Sequence, residues 1–203
     1  MTPKTLLAIA GRKPDPSFLS NSVLVLIDFQ NEMRDGELKL PDIEAVIKNA
    51  AILLECARQL HTRIIHVAHN GMPGGLLDRR SHRGEFIREL TPWPWESVVG
   101  KTRPNAFTGT ELARLIGQPG MPIIVAGLMT HNCVSSTVRA ALDHGYPVTL
   151  VQDACATRDL PSGDGIIKAA DLHRAEIAAL ADRHAWIVNA ADLAWQAQLD
   201  LIR

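Results

Sequence analysis

The stretch Met121 to Leu142, MPIIVAGLMTHNCVSSTVRAAL, constrains the fold of this chain more than any other. It opens on a short β-branched run, Ile123, Ile124 and Val125, bounded by Pro122 and Gly127. A continuous apolar run of that length reads as a strand covered on both faces, which is the condition of a parallel sheet. Apolar residues then recur at helical spacing, at Val134, Val138, Ala141 and Leu142, with Gly145 as the helix stop. Cys133 therefore sits where a strand turns into a helix. Unpaired N–H groups and the positive end of the helix dipole favour an anion there. The thiol pKa is expected to fall at such a position. The alternative is that Cys133 is a small buried apolar residue.

The same alternation runs along most of the 203 residues. Val23 to Phe29, VLVLIDF, reads as a central parallel strand, and Arg63 to Ala68, Ser97 to Lys101, Tyr146 to Val151 and Ala185 to Val188 as further strands. Helical repeats cover Pro41 to His61, Glu111 to Ile116 with Thr110 as its N-cap, Asp171 to His184 and Asp192 to Leu201, and Gly84 to Leu90 reads as a short helix. The pattern predicts an α/β fold with one mostly parallel, doubly wound sheet and helices on both faces. Residues 1–20, with Pro3, Pro14 and Pro16, read as an arm that packs late, against a neighbouring subunit in one reading.

Composition excludes several function classes. A formal net charge of −1 offers no broad basic field for nucleic acid or anionic lipid. No apolar run approaches membrane-spanning length, and Leu6 to Ala10 is too short for a secretory core. Three cysteines make no disulfide framework and fit a reducing, cytoplasmic setting. Gly100-Lys101-Thr102 resembles the tail of a phosphate-binding loop, but the glycine that motif needs is Trp95 here. The dinucleotide fingerprint is also absent.

Three residues stand out together: Asp28, Lys101 and Cys133. Each falls at or just past the C-terminal end of an expected parallel strand, and those ends share one edge of the sheet. Asp28 is an acid closing an apolar run, so it needs a partner, a catalytic role or a turn to cap. As a set, Cys133 is the nucleophile, Asp28 takes and returns its proton, and Lys101 holds the carboxylate and steadies the thiolate. His131 offers a rival Cys–His dyad, although residues two apart at a helix start do not face each other. His66 and His69, three apart on a strand, point to opposite faces and form no local pair of metal ligands, so they read as core or rim residues. Cys56 and Cys155 read as structural. The loop Asn70 to Arg83 and the proline-stiffened Thr91 to Trp95 read as pocket walls, with Trp93 and Trp95 alternatively covering a subunit contact.

The blocks LVLIDFQNE around Asp28, KTRPNAFTGTELARL after Lys101 and AGLMTHNCVSSTVRAALDHGYPVTLVQDACAT around Cys133 resemble the isochorismatase-like cysteine hydrolases, the superfamily of the nicotinamidases and N-carbamoylsarcosine amidohydrolase. The likeness runs from about Val23 to Asp192. It implies one domain over residues 1–203, a three-layer α/β/α sandwich on a six-stranded sheet, and an Asp28-Lys101-Cys133 triad that hydrolyses a small amide, carbamoyl or related C–N bond through a thioester. It implies a cis peptide at Leu128–Met129, with the N–H groups of Met129 and Cys133 as oxyanion hole. Candidate pocket residues are Phe29, Asn70, Trp93, Phe107, Leu128, His131 and Asn132, with Asn105 where many members have serine. The nicotinamidases' Asp-x-His…His cluster is replaced by His69-Asn70-Gly71-Met72, so neither metal nor cofactor is expected, and the partners are a small-molecule substrate and further copies of the chain. True isochorismatases cleave a vinyl ether without a cysteine nucleophile, and that chemistry, with Asp28 as general acid, is the alternative.

Overall fold

The structure is a computed structural model that describes residues 2–163 and 165–202; Met1, Asp164 and Arg203 lie outside the described residues. Five strands run in one direction through the centre: β1 (Val23–Ile27), β2 (Arg63–His69), β3 (Ser97–Lys101), β4 (Ile123–Leu128) and β5 (Val148–Ala156). A short β8 (Trp186–Val188) closes the sheet, and β6 (Leu160–Ser162) and β7 (Gly165–Ile167) form a separate antiparallel pair. The six-stranded sheet has the order β3-β2-β1-β4-β5-β8, and every pairing in it is parallel. The order reverses direction between β1 and β4, and a ligand crevice in a doubly wound sheet opens at that reversal.

Parity along each strand divides the core in two. Leu24 and Leu26 of β1, with Ile124 and Ala126 of β4, face helices α3 (Ile43–Gln59) and α7 (Ala190–Ile202), where Ala50, Leu53, Leu54 and Leu193 pack. Val23, Val25 and Ile27, with Ile123 and Val125, face α4 (Leu112–Ile116), α5 (Ser135–Asp143) and α6 (Ala169–Arg183) through Ile116, Val138, Ala141 and Leu180. Both faces of β1 and β4 are therefore dry, which is why those runs are apolar without alternation. A fully buried side chain of this kind contributes roughly 1.5–3 kcal/mol. Among the described residues the remaining α-helices are single turns, α1 (Leu6–Ile9) and α2 (Glu32–Asp35).

Two expectations need correction. Gly84 to Leu90 is not one helix but two 3-10 turns, His82–Gly84 and Arg88–Leu90. Between them Phe86 is drawn into an antiparallel bridge with Gln30, and the Ile87 N–H donates to Phe29 O at 2.9 Å. The strand expected to end at Val151 instead continues as β5 to Ala156. A register shift between Val125 and Gly127 lets Gly127 and Leu128 pair with Cys155 and Ala156, so the strand keeps a partner. The arm forms a helical turn capped by Thr5, whose Oγ1 accepts from the Ala8 N–H at 3.1 Å. It docks on this chain's own α6, where the Leu6 N–H donates to Asp182 at 2.8 Å.

Gly127 is required by close approach. A Cβ there would lie 2.6 Å from both the Cβ and the carbonyl oxygen of Ile27 on β1. Gly127→Ala is expected to cost about 1–3 kcal/mol, because the two central strands cannot separate without opening the core. Chemical denaturation of the pure variant measures it.

Candidate active site

β1 ends at Ile27, and the chain turns at once. Asp28 takes a left-handed conformation, φ 54°, which aspartate tolerates better than most residues. Its N–H still pairs with Val67 O on β2 at 2.9 Å, so the turn is fastened to the sheet. Its carboxylate is fully buried and accepts no backbone N–H, so it does not cap the turn. Its partner is the ammonium of Lys101, 2.7 Å from Oδ2. Lys101 closes β3 two strands away and is 1% exposed. The same ammonium donates to Cys133 Sγ at 3.2 Å.

Cys133 belongs to a wide turn, Thr130–Val134, between β4 and α5. The Val134 N–H reaches five residues back to Met129 O at 3.3 Å, while the Asn132 N–H reaches the same oxygen at 3.0 Å. Such a turn re-aims side chains and recurs at functional sites. The regular helix expected from the spacing begins only at Ser135, after the cysteine. The peptide between Leu128 and Met129 is cis.

The electrostatics differ from the expectation of a depressed thiol pKa. Burial pushes Cys133 up to about 12, and the Asp28 charge adds to that, against the pull of Lys101. Burial also raises Asp28 above the usual carboxylate range, with the Lys101 charge and hydrogen bond acting in the opposite direction. The helix start was the wrong guide because the regular helix begins two residues later, at Ser135, and a cysteine only 7% exposed loses the solvation its thiolate needs. The thiol keeps its proton at rest, with an ionisable carboxylate close by.

His69 was placed among core or rim residues, and the structure brings it into the cluster. Its Nδ1 lies 3.2 Å from Lys101 Nζ. Asp28, His69 and Cys133 offer three donor atoms within 4.8 Å of one another, and the Lys101 ammonium already sits against them. The opposite-face argument holds, since His66 turns away to Glu96 at 2.8 Å. What it missed is register: His69 on β2 stands directly opposite Lys101 on β3.

The other sequence candidates divide. Asn70 follows His69 on the same edge, and its N–H donates to Lys101 O at 2.8 Å. Phe29 and Leu128 are buried in the core on the α3 side, so they form floor rather than wall. His131 directs Nδ1 to Thr157 Oγ1 and Asn132 is half-buried beside it; the hydrogen bond Cys133 accepts comes from Lys101, so the His131 dyad is not what the geometry builds. Thr130 Oγ1 in turn meets His173 Nδ1 at 2.9 Å. Thr157 and His173 line a cavity of about 450 Å³ with Cys155, Asp42 and Lys168; neither was singled out from sequence. Trp93 and Phe107 belong elsewhere. Trp93 precedes β3 and packs under Arg58, 4.0 Å from its ring, in a cavity with Arg63 and Ile64 at the start of β2. A segment entering a parallel strand lies at its N-terminal edge, opposite Asp28 and Lys101. Phe107 stacks on His144 and Tyr146, at the C-terminal end of α5.

A family model described as the isochorismatase domain matches residues 22–192. The chain belongs to the isochorismatase family. Its sheet and flanking helices are those of an isochorismatase from Pseudomonas putida KT2440, with a TM-score of 0.89 and 43% identity over 95% of this chain and 100% of that one. A secreted isochorismatase effector of Verticillium dahliae is 35% identical over 92% of this chain and 97% of its own length. A streptothricin hydrolase of Streptomyces noursei is 33% identical over 83% of this chain and 68% of its own length. The protein is thus an isochorismatase-family hydrolase. Among the described residues no helix is long and apolar enough to cross a membrane.

Proposed function

We propose that this hydrolase cleaves a small amide, carbamoyl or related C–N bond with Cys133 as nucleophile. The observation that carries the reading is a single buried ammonium, Lys101, bonded to both Asp28 and Cys133. A binding protein has no need of a buried charge held against a thiol, since burying ions costs several kcal/mol each.

The steps follow from the atoms present. The Asp28 carboxylate takes the thiol proton as sulfur attacks the carbonyl carbon. The tetrahedral oxyanion is received by the N–H groups of Met129 and Cys133. The carbon–nitrogen bond breaks, Asp28 delivers its proton to the departing amine, and a thioester remains. Water then attacks the thioester, giving a proton to Asp28; the acid leaves and the proton returns to sulfur. Lys101 keeps the carboxylate ionised and steadies the charge on sulfur. One domain over residues 1–203, a homo-oligomeric state and a cytoplasmic setting belong to the same reading. Exposed Trp95, Val98 and Trp195 supply apolar surface for a second copy.

The names of the Pseudomonas and Verticillium relatives favour a second reading, vinyl-ether hydrolysis with protonated Asp28 as general acid. Release of amine and acid across small amides and carbamoyl compounds, measured beside consumption of isochorismate, separates the two. Stoichiometric amine and acid from a C–N substrate is the expected result. Turnover of isochorismate with none of a C–N substrate would contradict the thiol reading.

The pH profile carries a further expectation. Asp28 must be ionised to accept the thiol proton, and its pKa is raised by burial. The acid limb of kcat/KM is therefore expected above the ordinary carboxylate range, activity falling as pH drops through the raised value. A limb at the unperturbed carboxylate pKa would contradict the assignment.

A further inference from the structure

We infer that His69 is a positioning residue: its Nδ1 lone pair is the third acceptor of the Lys101 ammonium and sets the direction in which that ammonium meets Cys133. The inference deepens the thiol reading and rests on it.

A lysine ammonium has three N–H donors and no acceptor. Here three acceptors surround it: Asp28 Oδ2 at 2.7 Å, Cys133 Sγ at 3.2 Å and His69 Nδ1 at 3.2 Å. The lysine side chain has no exposure, so no solvent replaces a missing acceptor. The ammonium thus meets one ion-pair partner, Asp28, and two hydrogen-bond partners, Cys133 and His69. Because the ammonium only donates, Nδ1 of His69 must accept. The ring is then neutral, with its proton on Nε2. Burial and the neighbouring Lys101 charge both hold the His69 pKa down, and Asp28 pulls weakly the other way, in keeping with a neutral ring.

The backbone that carries the ring is itself anchored. Gln30 is fully buried, and its amide grips the His69 backbone from both sides. Its Oε1 accepts from the His69 N–H at 2.8 Å, and its Nε2 donates to His69 O at 3.0 Å and to Gly84 O at 2.9 Å. The register pairing of His69 with Lys101 fixes the other coordinate. A strand end fastened in this way presents a neutral acceptor to the end of a long side chain with several rotatable bonds.

Without that acceptor, the ammonium has two unequal partners. The carboxylate is charged and close, and the sulfur is a weak acceptor. The ammonium is drawn toward Asp28 and its hold on sulfur weakens. Lys101 is the group that lowers the Cys133 pKa. Losing its alignment makes the thiol harder to ionise, and one pKa unit is a tenfold loss of thiolate at any pH below it.

The test reads the thiol and needs no substrate. Iodoacetamide modification of Cys133, followed by peptide mass spectrometry from about pH 6 to about pH 10, compares wild type, His69→Leu and His69→Asn. Asparagine puts an oxygen near the Nδ1 position, whereas leucine fills similar space without an acceptor. His69→Leu is expected to react about tenfold more slowly at each pH, and His69→Asn to recover most of the wild-type rate, with thermal melting checking that both variants fold. A His69→Leu profile that superimposes on wild type would overturn the inference. So would equal slowing in both variants, which would assign the effect to ring packing. Failure of C–N hydrolysis itself would appear in the product assay and leave this readout unchanged.

Discussion

Cys133→Ala is expected to lose at least about four orders of magnitude in kcat on the C–N substrate, roughly 5.5 kcal/mol of barrier, while the protein stays folded. The sulfur is the atom that bonds to the carbonyl carbon, and no neighbouring group takes its place: Asp28 is held by Lys101, and His131 is turned to Thr157. Stability changes little, since the variant removes one weak acceptor from the ammonium and leaves its bonds to Asp28 and His69. Steady-state kinetics with a thermal melt measures both. Under vinyl-ether chemistry the same variant keeps its activity and Asp28→Asn loses it, so the pair of variants separates the two mechanisms.

Lys101→Met should damage both stability and catalysis. The lysine and Asp28 side chains are 0% and 1% exposed, and removing one member of a buried ion pair costs about 3–5 kcal/mol, because the other charge is left uncompensated. Asp28 already has a raised pKa from burial, and Lys101 is what pulls it down. In the variant the folded-state pKa rises further above the unfolded one. Such a carboxyl penalises the fold as pH rises from the unfolded pKa to the folded one, and the penalty vanishes in acid, where both states are protonated. The deficit of Lys101→Met is therefore expected to shrink at low pH. A protonated Asp28 also cannot take the thiol proton, a loss of about 10²–10⁴ in rate. The double variant Asp28→Asn, Lys101→Met recovers stability and not activity. Urea denaturation at two pH values checks the first part, and initial rates the second.

Much of this site was legible in the chain because a parallel sheet imposes direction. Asp28, Lys101 and Cys133 are far apart in sequence, yet each closes or follows an apolar run, and strand ends of one sense share an edge. The same rule applied to the segment before β3 puts Trp93 at the opposite edge, and treating Thr91 to Trp95 as a pocket wall overlooked it. Phe107 was misplaced for a different reason. Composition does not tell which way a loop residue leans, and the space beside Tyr146 and His144 decides it. His69 needed the register between β2 and β3, which no local pattern carries. The extension of β5 depends on an irregularity in β4, a property of the pair. The thiol's acidity was misjudged because helix-terminus electrostatics can be read from position, whereas burial cannot.

The central claim is that a thioester forms on Cys133. The most direct measurement is the partition of that intermediate between water and added hydroxylamine, for substrates that share an acyl group and differ in the leaving amine. A common thioester predicts one ratio of hydroxamate to acid, whatever amine has left, because both nucleophiles meet the same intermediate. A ratio that changes with the leaving amine, or hydrolysis at full rate with no hydroxamate formed, would contradict the account.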